Sequence, residues 1–272
     1  MREAIHEFAR YVGRPEPEID LAEASLLIAR TDYPELDTAA QLARLDKLAA
    51  QVPTGPECSP LTNIQALNVV LFDKEKFAGN DEEYDDPRNS YLNQVLDRKK
   101  GIPITLSLVY TEVARRRALP LVGVGFPGHF LVKYLATPAE IYIDPYNRGA
   151  ILNREDCAER LKAHFGEDAE LRPEYLAAST AKQILARMLS NLKGSYFRRR
   201  NYAKVLLMID LALAVDPGSR HELHDRGMVY FLMKRYREAM ADFNLYLELA
   251  APDDSQAKQV KQAIHQIRAI MN

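Results

Sequence analysis

Residues 122–134 read VGVGFPGHFLVKY, and residues 141–147 read IYIDPYN. The runs HFLVKYL and EIYID are short, rich in β-branched and aromatic residues, and bounded by Pro-Gly and Asp-Pro, which is the punctuation of two strands. If ATPA (136–139) closes them into a hairpin, Leu135 pairs with Glu140 and Leu131 with Asp144. Side chains alternate faces along a strand, so His129 and Asp144 then share one face as a diagonal pair, with backbones about 7–8 Å apart. An aspartate that accepts from an imidazole fixes its tautomer, and a general base is oriented in this way. The pair also reads as a strand-end histidine and a turn aspartate, each satisfied locally. Spacing alone leaves both readings open.

Upstream of this sheet the chain reads as helix. Apolar residues recur at helical spacing in Ile5, Phe8, Ala9 and Val12, again in Leu21, Ala24, Leu27 and Ile28, and PLTNIQALNVVLF from Pro60 is a further helix. Residues 79–89, GNDEEYDDPRN, are acidic and rich in turn formers. They lack the spacing and distal glutamate of a calcium loop, so a solvated loop is expected. Asn89 or Ser90 is expected to cap a helix over YLNQVLDRKK, with Gly101 just past its end. Pro103 then opens PITLSLVYTEVARRRAL, whose front half is apolar nearly all round, as a buried central helix would be. One central helix beside a small antiparallel sheet predicts an α+β domain over residues 1–172.

Residues 173–272 read as an all-α domain containing an internal repeat. Tyr196 and Tyr202 recur 34 residues later as Tyr230 and Tyr236, while Gly194 matches Gly227 and Pro217 matches Pro252 within one residue of that period. The second copy carries Gly227, Tyr230, Tyr236, Ala239 and Phe243, a tetratricopeptide-like pattern of small and aromatic residues where paired helices touch. The first copy is weaker, with Val205 and Ile209 at the Ala and Phe positions, and SQAKQVKQAIHQIRAI reads as a capping helix. Two repeats bury their faces poorly alone, so they are expected to pack on the first domain.

Composition narrows the function. A net charge of −2 gives no reason to expect nucleic acid as a partner, and no apolar run approaches the roughly 18 residues that span a bilayer. The N-terminus, MREAIHEFARYVG, is charged and amphipathic, unlike a secretory signal, and Cys58 and Cys157 fit no metal-ligand spacing, so a reduced cytoplasmic protein is expected. His221 and His224 stand at a spacing that suits a metal but lack a third ligand, and they read as the polar start of a repeat helix. FRRRNY (197–202) reads as the solvated turn of the first repeat. No cofactor or metal is expected.

A central helix, a strand led by histidine and a following strand ending in Asp-Pro resemble the transglutaminase-like superfamily of papain-related cysteine enzymes. The stretch from Asn89 to Tyr134, followed by IDPYNRG, resembles more closely the SirB-type proteins, bacterial proteins with such a domain followed by tetratricopeptide-like repeats. The resemblance runs from about residue 35 to the end. It implies that His129 and Asp144 match the superfamily's catalytic His and Asp. Active members read Gly-x-Cys before the central helix, where the helix N-terminus stabilises a thiolate. Here the sequence reads Gly101-Ile102-Pro103, and proline has no nucleophile.

A hydroxyl is the remaining source of a nucleophile. Ser107 lies four residues beyond Pro103 on the same helix face, and Thr105 lies roughly 200° around from it. Each more simply bonds a carbonyl one turn back. Three functions follow as expectations, one of them a purely structural scaffold whose cleft is a relic. The first is a degenerate cleft that binds a protein or peptide, with the repeats as a second contact, in a regulatory or accessory role. The alternative is a hydrolase or acyl transferase using Ser107 or Thr105 with His129 and Asp144.

Overall fold

The computed structural model describes residues 2–135, 140–251 and 254–271. The ATPA turn and Pro252, used above for the hairpin and the repeat, lie outside the described residues.

Three helices come first: α1 (Arg2–Val12), α2 (Leu21–Ala29) and α3 (Thr38–Ala50). Asp20 and Asp37 start the second and third by accepting the backbone N–H three residues on. The helix expected from Pro60 forms as α4 (Pro60–Asn68), capped by Ser59, and runs on as a π-helical turn over Val69–Lys74. The helix α5 (Leu92–Arg98) then leads to α6 (Pro103–Arg116), in which every residue from Pro103 to Tyr110 is buried. Pro103 sits in the first turn of α6, where a missing N–H costs nothing.

The sheet is an antiparallel meander of β3 (Leu121–Val124), β4 (Leu131–Tyr134), β5 (Ile141–Asp144) and β6 (Ala150–Leu152). Its central pairs, Val132 with Ile143 and Lys133 with Tyr142, have the register expected for a hairpin that pairs Leu135 with Glu140. A two-residue parallel pair, β1 (Ala78–Gly79) with β2 (Lys100–Gly101), ties the segment before α6 to the acidic stretch. The helix α7 (Arg154–Phe165) follows the sheet.

Three local expectations need correction. Lys99, not Gly101, takes the left-handed conformation that ends α5. Gly101 is glycine because a Cβ there would lie 2.8 Å from Thr105 Oγ1 in the first turn of α6. Asn89 and Ser90 do not cap α5, whose N-cap is Tyr91 with no side-chain bond. Nor is 79–89 a solvated loop throughout, because Asn80, Asp86 and Asn89 are buried. Asn89 holds the loop by donating to the carbonyls of Glu83 and Tyr84, and Thr105 of α6 donates to the Asn89 carbonyl. Composition reports that a segment is polar, and these polar groups are spent on the loop's own backbone.

The helices α8 (Ala181–Arg198), α9 (Tyr202–Val215), α10 (Arg220–Leu232), α11 (Tyr236–Leu249) and α12 (Ala257–Met271) complete the chain. In the second repeat a Cβ on Gly227 would come within 2.5 Å of the Phe243 ring, so the glycine lets α10 and α11 close on each other. The repeats do not stand apart. One apolar cluster joins Phe8 and Val12 of α1 and Leu27 of α2 to Leu189 of α8 and Met208 of α9. Burying a side chain such as Phe8 contributes about 2–3 kcal/mol. A polar chain crosses the same boundary: Tyr196 donates to Asp32 at 2.5 Å and lies 3.0 Å from the Tyr91 hydroxyl.

Candidate functional site

His129 is set by the turn before β4. Gly128 has φ +69°, and a Cβ there would strike the His164 ring at 2.8 Å, so only glycine makes this turn. The His129 N–H donates to the Phe126 carbonyl at 3.1 Å. From α8 the Arg187 guanidinium donates to the carbonyls of both Phe126 and His129, the latter at 2.6 Å. The turn is held from both sides.

His129 Nε2 lies 2.8 Å from Asp144 Oδ1, as the diagonal register requires. Asp144 is fully buried and ends β5, where its carboxylate accepts from the N–H groups of Tyr146 and Asn147, from the Asn147 side-chain amide at 2.6 Å, and from Arg160 of α7. Burial alone would push this carboxyl up. The hydrogen bond and charge of His129, then Asn147 and Arg160, bring it down to about 2. An ionised Asp144 accepts the hydrogen bond from Nε2–H, which leaves Nδ1 as the ring edge turned away from the carboxylate. Nδ1 has no hydrogen-bond partner among the described residues. Tyr146 stands edge-on to the imidazole, donates to Asp81 at 2.5 Å, and meets Tyr84 edge-on, so the acidic loop packs beside the histidine.

The hydroxyls and thiols lie elsewhere. Thr105 Oγ1 accepts the Ile102 N–H at 3.1 Å and donates to the Asn89 carbonyl at 2.7 Å, and so finishes the start of α6. Ser107 Oγ lies 3.5 Å from the Phe130 carbonyl. Neither hydroxyl is hydrogen-bonded to His129 among the described residues. Cys157 is buried in an apolar cluster with Val124 and Tyr142, and burial pushes its thiol up to about 11. Cys58 is half-buried, with its sulfur 3.9 Å from a Glu57 oxygen. His221 and His224 both face Asp225, and among the described residues no three His, Cys, Asp or Glu side chains are grouped to hold a metal ion.

Sequence reasoning reached His129 and Asp144 and missed Asn147, Arg160 and Arg187. The Asp-Pro-Tyr-Asn turn carried a usable signal for Asn147, since an aspartate before such a turn accepts its N–H groups. The two arginines come from distant helices and left no local trace.

A model of the transglutaminase-like superfamily matches residues 39–190, and a tetratricopeptide-repeat model matches residues 192–265. A UPF0162 protein of Xylella fastidiosa is 36% identical over 236 residues, covering 85% of this chain and 84% of the relative. This chain belongs to the UPF0162 family of transglutaminase-like proteins. Its Vibrio cholerae relative is 30% identical over 251 residues, covering 91% of this chain and 92% of the relative. Human F-box only protein 21 is 33% identical over 180 residues, covering 62% of this chain and 28% of that protein. A transglutaminase-like domain joined to tetratricopeptide repeats makes this member a protein-interaction module. No described helix is long and apolar enough to cross a membrane.

Proposed function

We propose that the chain is a catalytically degenerate transglutaminase-like protein that binds a polypeptide in the cleft beside His129 and Asp144, with the helical repeats as a second contact. One observation carries the reading. The first turn of α6, where a thiolate nucleophile would draw on the helix dipole, begins with Pro103. Among the described residues no hydroxyl or thiol is hydrogen-bonded to His129, although its orienting carboxylate is in place. A site that keeps its orienting carboxylate without its nucleophile is suited to recognition. The SirB-type resemblance agrees with this and brings with it a bacterial regulatory or accessory role, and the two unpaired cysteines suit a cytoplasmic one.

Two measurements test the reading on the intact protein. A fluorophosphonate probe, mapped by mass spectrometry, is expected to leave Ser107 and Thr105 unlabelled. A photo-crosslinking residue placed at Tyr84, which is exposed beside Tyr146, is expected to give discrete polypeptide adducts in cells. Stoichiometric labelling of either hydroxyl would replace the reading with a hydrolase or acyl transferase. Absence of adducts would remove the binding role.

A further inference from the structure

Arg187, Asn191, Gly194 and Arg198 recur every three or four residues along α8, so they lie on one face of that helix. The face connects the His129 turn to the helical repeats. Arg187 stands at one end, against the carbonyls of Phe126 and His129. Beyond it, Ser190, Gly194 and Arg198 line two adjoining cavities. One, of about 100 Å³, reaches Tyr84 and Ile102. The other, of about 400 Å³, opens between α8 and α10.

The charges along this face are unevenly satisfied. Lys193 is matched by Glu222 and Asp225, and Arg198 by Asp85 of the acidic loop. Arg187 hydrogen-bonds backbone carbonyls and lies over the Phe130 ring at 5.6 Å, and it has no carboxylate partner among the described residues. Burial pushes its pKa down, and the Tyr84 phenol is its one titratable neighbour of note. A guanidinium has five N–H donors, of which these carbonyls take three. A partly desolvated cation with donors to spare binds a carboxylate strongly.

The floor between the ends is bare for no internal reason. Glycine inside a helix costs about 1 kcal/mol relative to alanine. Gly227 offsets that cost, because Phe243 fills the space over it. At the matching position of the first repeat nothing fills the space: a Cβ on Gly194 would meet only the flexible Arg198 guanidinium, at 3.5 Å. Gly194 lines both cavities, and the larger one is rimmed by the exposed side chains of Phe197, Met228 and Leu232. An open glycine floor lets a ligand backbone approach closely.

We infer that this groove holds an extended polypeptide segment that gives a carboxylate to Arg187 and a bulky apolar side chain to the cavity between α8 and α10. The proposal rests on the polypeptide-binding reading and adds the chemistry of the bound segment. From Arg187 to the level of Gly194–Phe197 is about 10–15 Å along the helix, which about three or four extended residues span. The bound segment therefore has an apolar residue and an acidic one separated by that interval.

The chain contains no tryptophan, so a tryptophan in the probe reports its own burial. The probes are heptapeptide amides of serine and glycine carrying one tryptophan and, three or four positions away in either order, one glutamate. Matched peptides carry glutamine in place of the glutamate. Titrated with the full chain, the glutamate probes are expected to shift their emission to the blue and to bind at least about tenfold more tightly than their glutamine partners. Arg187→Gln is expected to abolish the preference, and Gly194→Leu to weaken both kinds of probe while leaving the circular dichroism unchanged. Equal binding of glutamate and glutamine probes overturns the proposal, and so does absence of a blue shift at millimolar protein; neither comparison requires a variant to fold. Either failure leaves the binding role itself to the crosslinking result.

Discussion

Replacing Asp144 with asparagine tests whether the site is held by charge or by shape. The carboxylate is fully buried and serves His129, Asn147, two turn N–H groups and Arg160. An asparagine keeps one acceptor oxygen for the turn but sets an NH2 group among donors. Losing one or two hydrogen bonds to a charged acceptor costs about 1.5–3 kcal/mol each. Arg160, about one-third exposed, recovers part of its share by turning to water. The titration gives a second route to the magnitude. A carboxyl at about 2 in the folded chain, against an ordinary 3.8, carries about 2 kcal/mol of stability. We therefore expect Asp144→Asn to cost about 3 kcal/mol at pH 7, and to lower Tm by about 6–10 °C in a chain of this size. Because the folded pKa is depressed, the stabilisation is fully present above the ordinary value and is lost as pH falls through the folded one. The gap between wild type and variant should hold down to about pH 5 and narrow to about 1 kcal/mol near pH 2. Asp225, also held at about 2, is common to both proteins and cancels. Urea unfolding at a series of pH values measures the gap. A gap under about 1 kcal/mol at pH 7, or one that does not change with pH, would refute the charged hub.

Four further outcomes are expected. Gly227→Ala forces a Cβ against the buried Phe243 ring and should cost about 1–3 kcal/mol in denaturant unfolding, whereas Gly194→Ala should be neutral or stabilise by up to about 1 kcal/mol. Tyr196→Phe removes the hydroxyl between Asp32 and Tyr91 and should cost about 1–2 kcal/mol, read from the urea midpoint. Probes in each half of the chain should report a single coincident unfolding transition, because α1 and α2 share a core with α8 and α9. Iodoacetamide should label Cys157 only once the chain is unfolded, since burial holds the thiol protonated and out of reach.

What the sequence disclosed was what repeats or alternates. The short spacing between HFLVKYL and EIYID suggested the hairpin register, and their period-2 pattern put His129 and Asp144 on one face. The unbroken apolar front of α6 marked it as central, and Gly227 with Phe243 marked a helix pair. Features built from single residues far apart in the chain were illegible. Arg160 and Arg187 reach the site from α7 and α8, and nothing near them in sequence distinguishes them from surface arginines. The loop at 79–89 looked like solvent-facing charge because composition counts acidic residues and is blind to buried asparagines that bond backbone. Lys99 took the left-handed position that Gly101 was expected to fill, since the demand at Gly101 comes from the close approach of Thr105, a tertiary contact.

The seat of α1 against α9 bears on how the chain is made. Phe8 and Val12 leave the ribosome well before their partners on α9, which follow about 190 residues later. At about 5–20 residues per second α1 waits roughly 10–40 s for α9 to cover the part of its apolar face that α2 leaves open. Its closure is a long-range step whose loop entropy is met only when the first repeat arrives. Synthesis of the repeats is therefore the event that completes the first domain, and a chain cut short within them should be recognised by chaperones as unfinished at both ends.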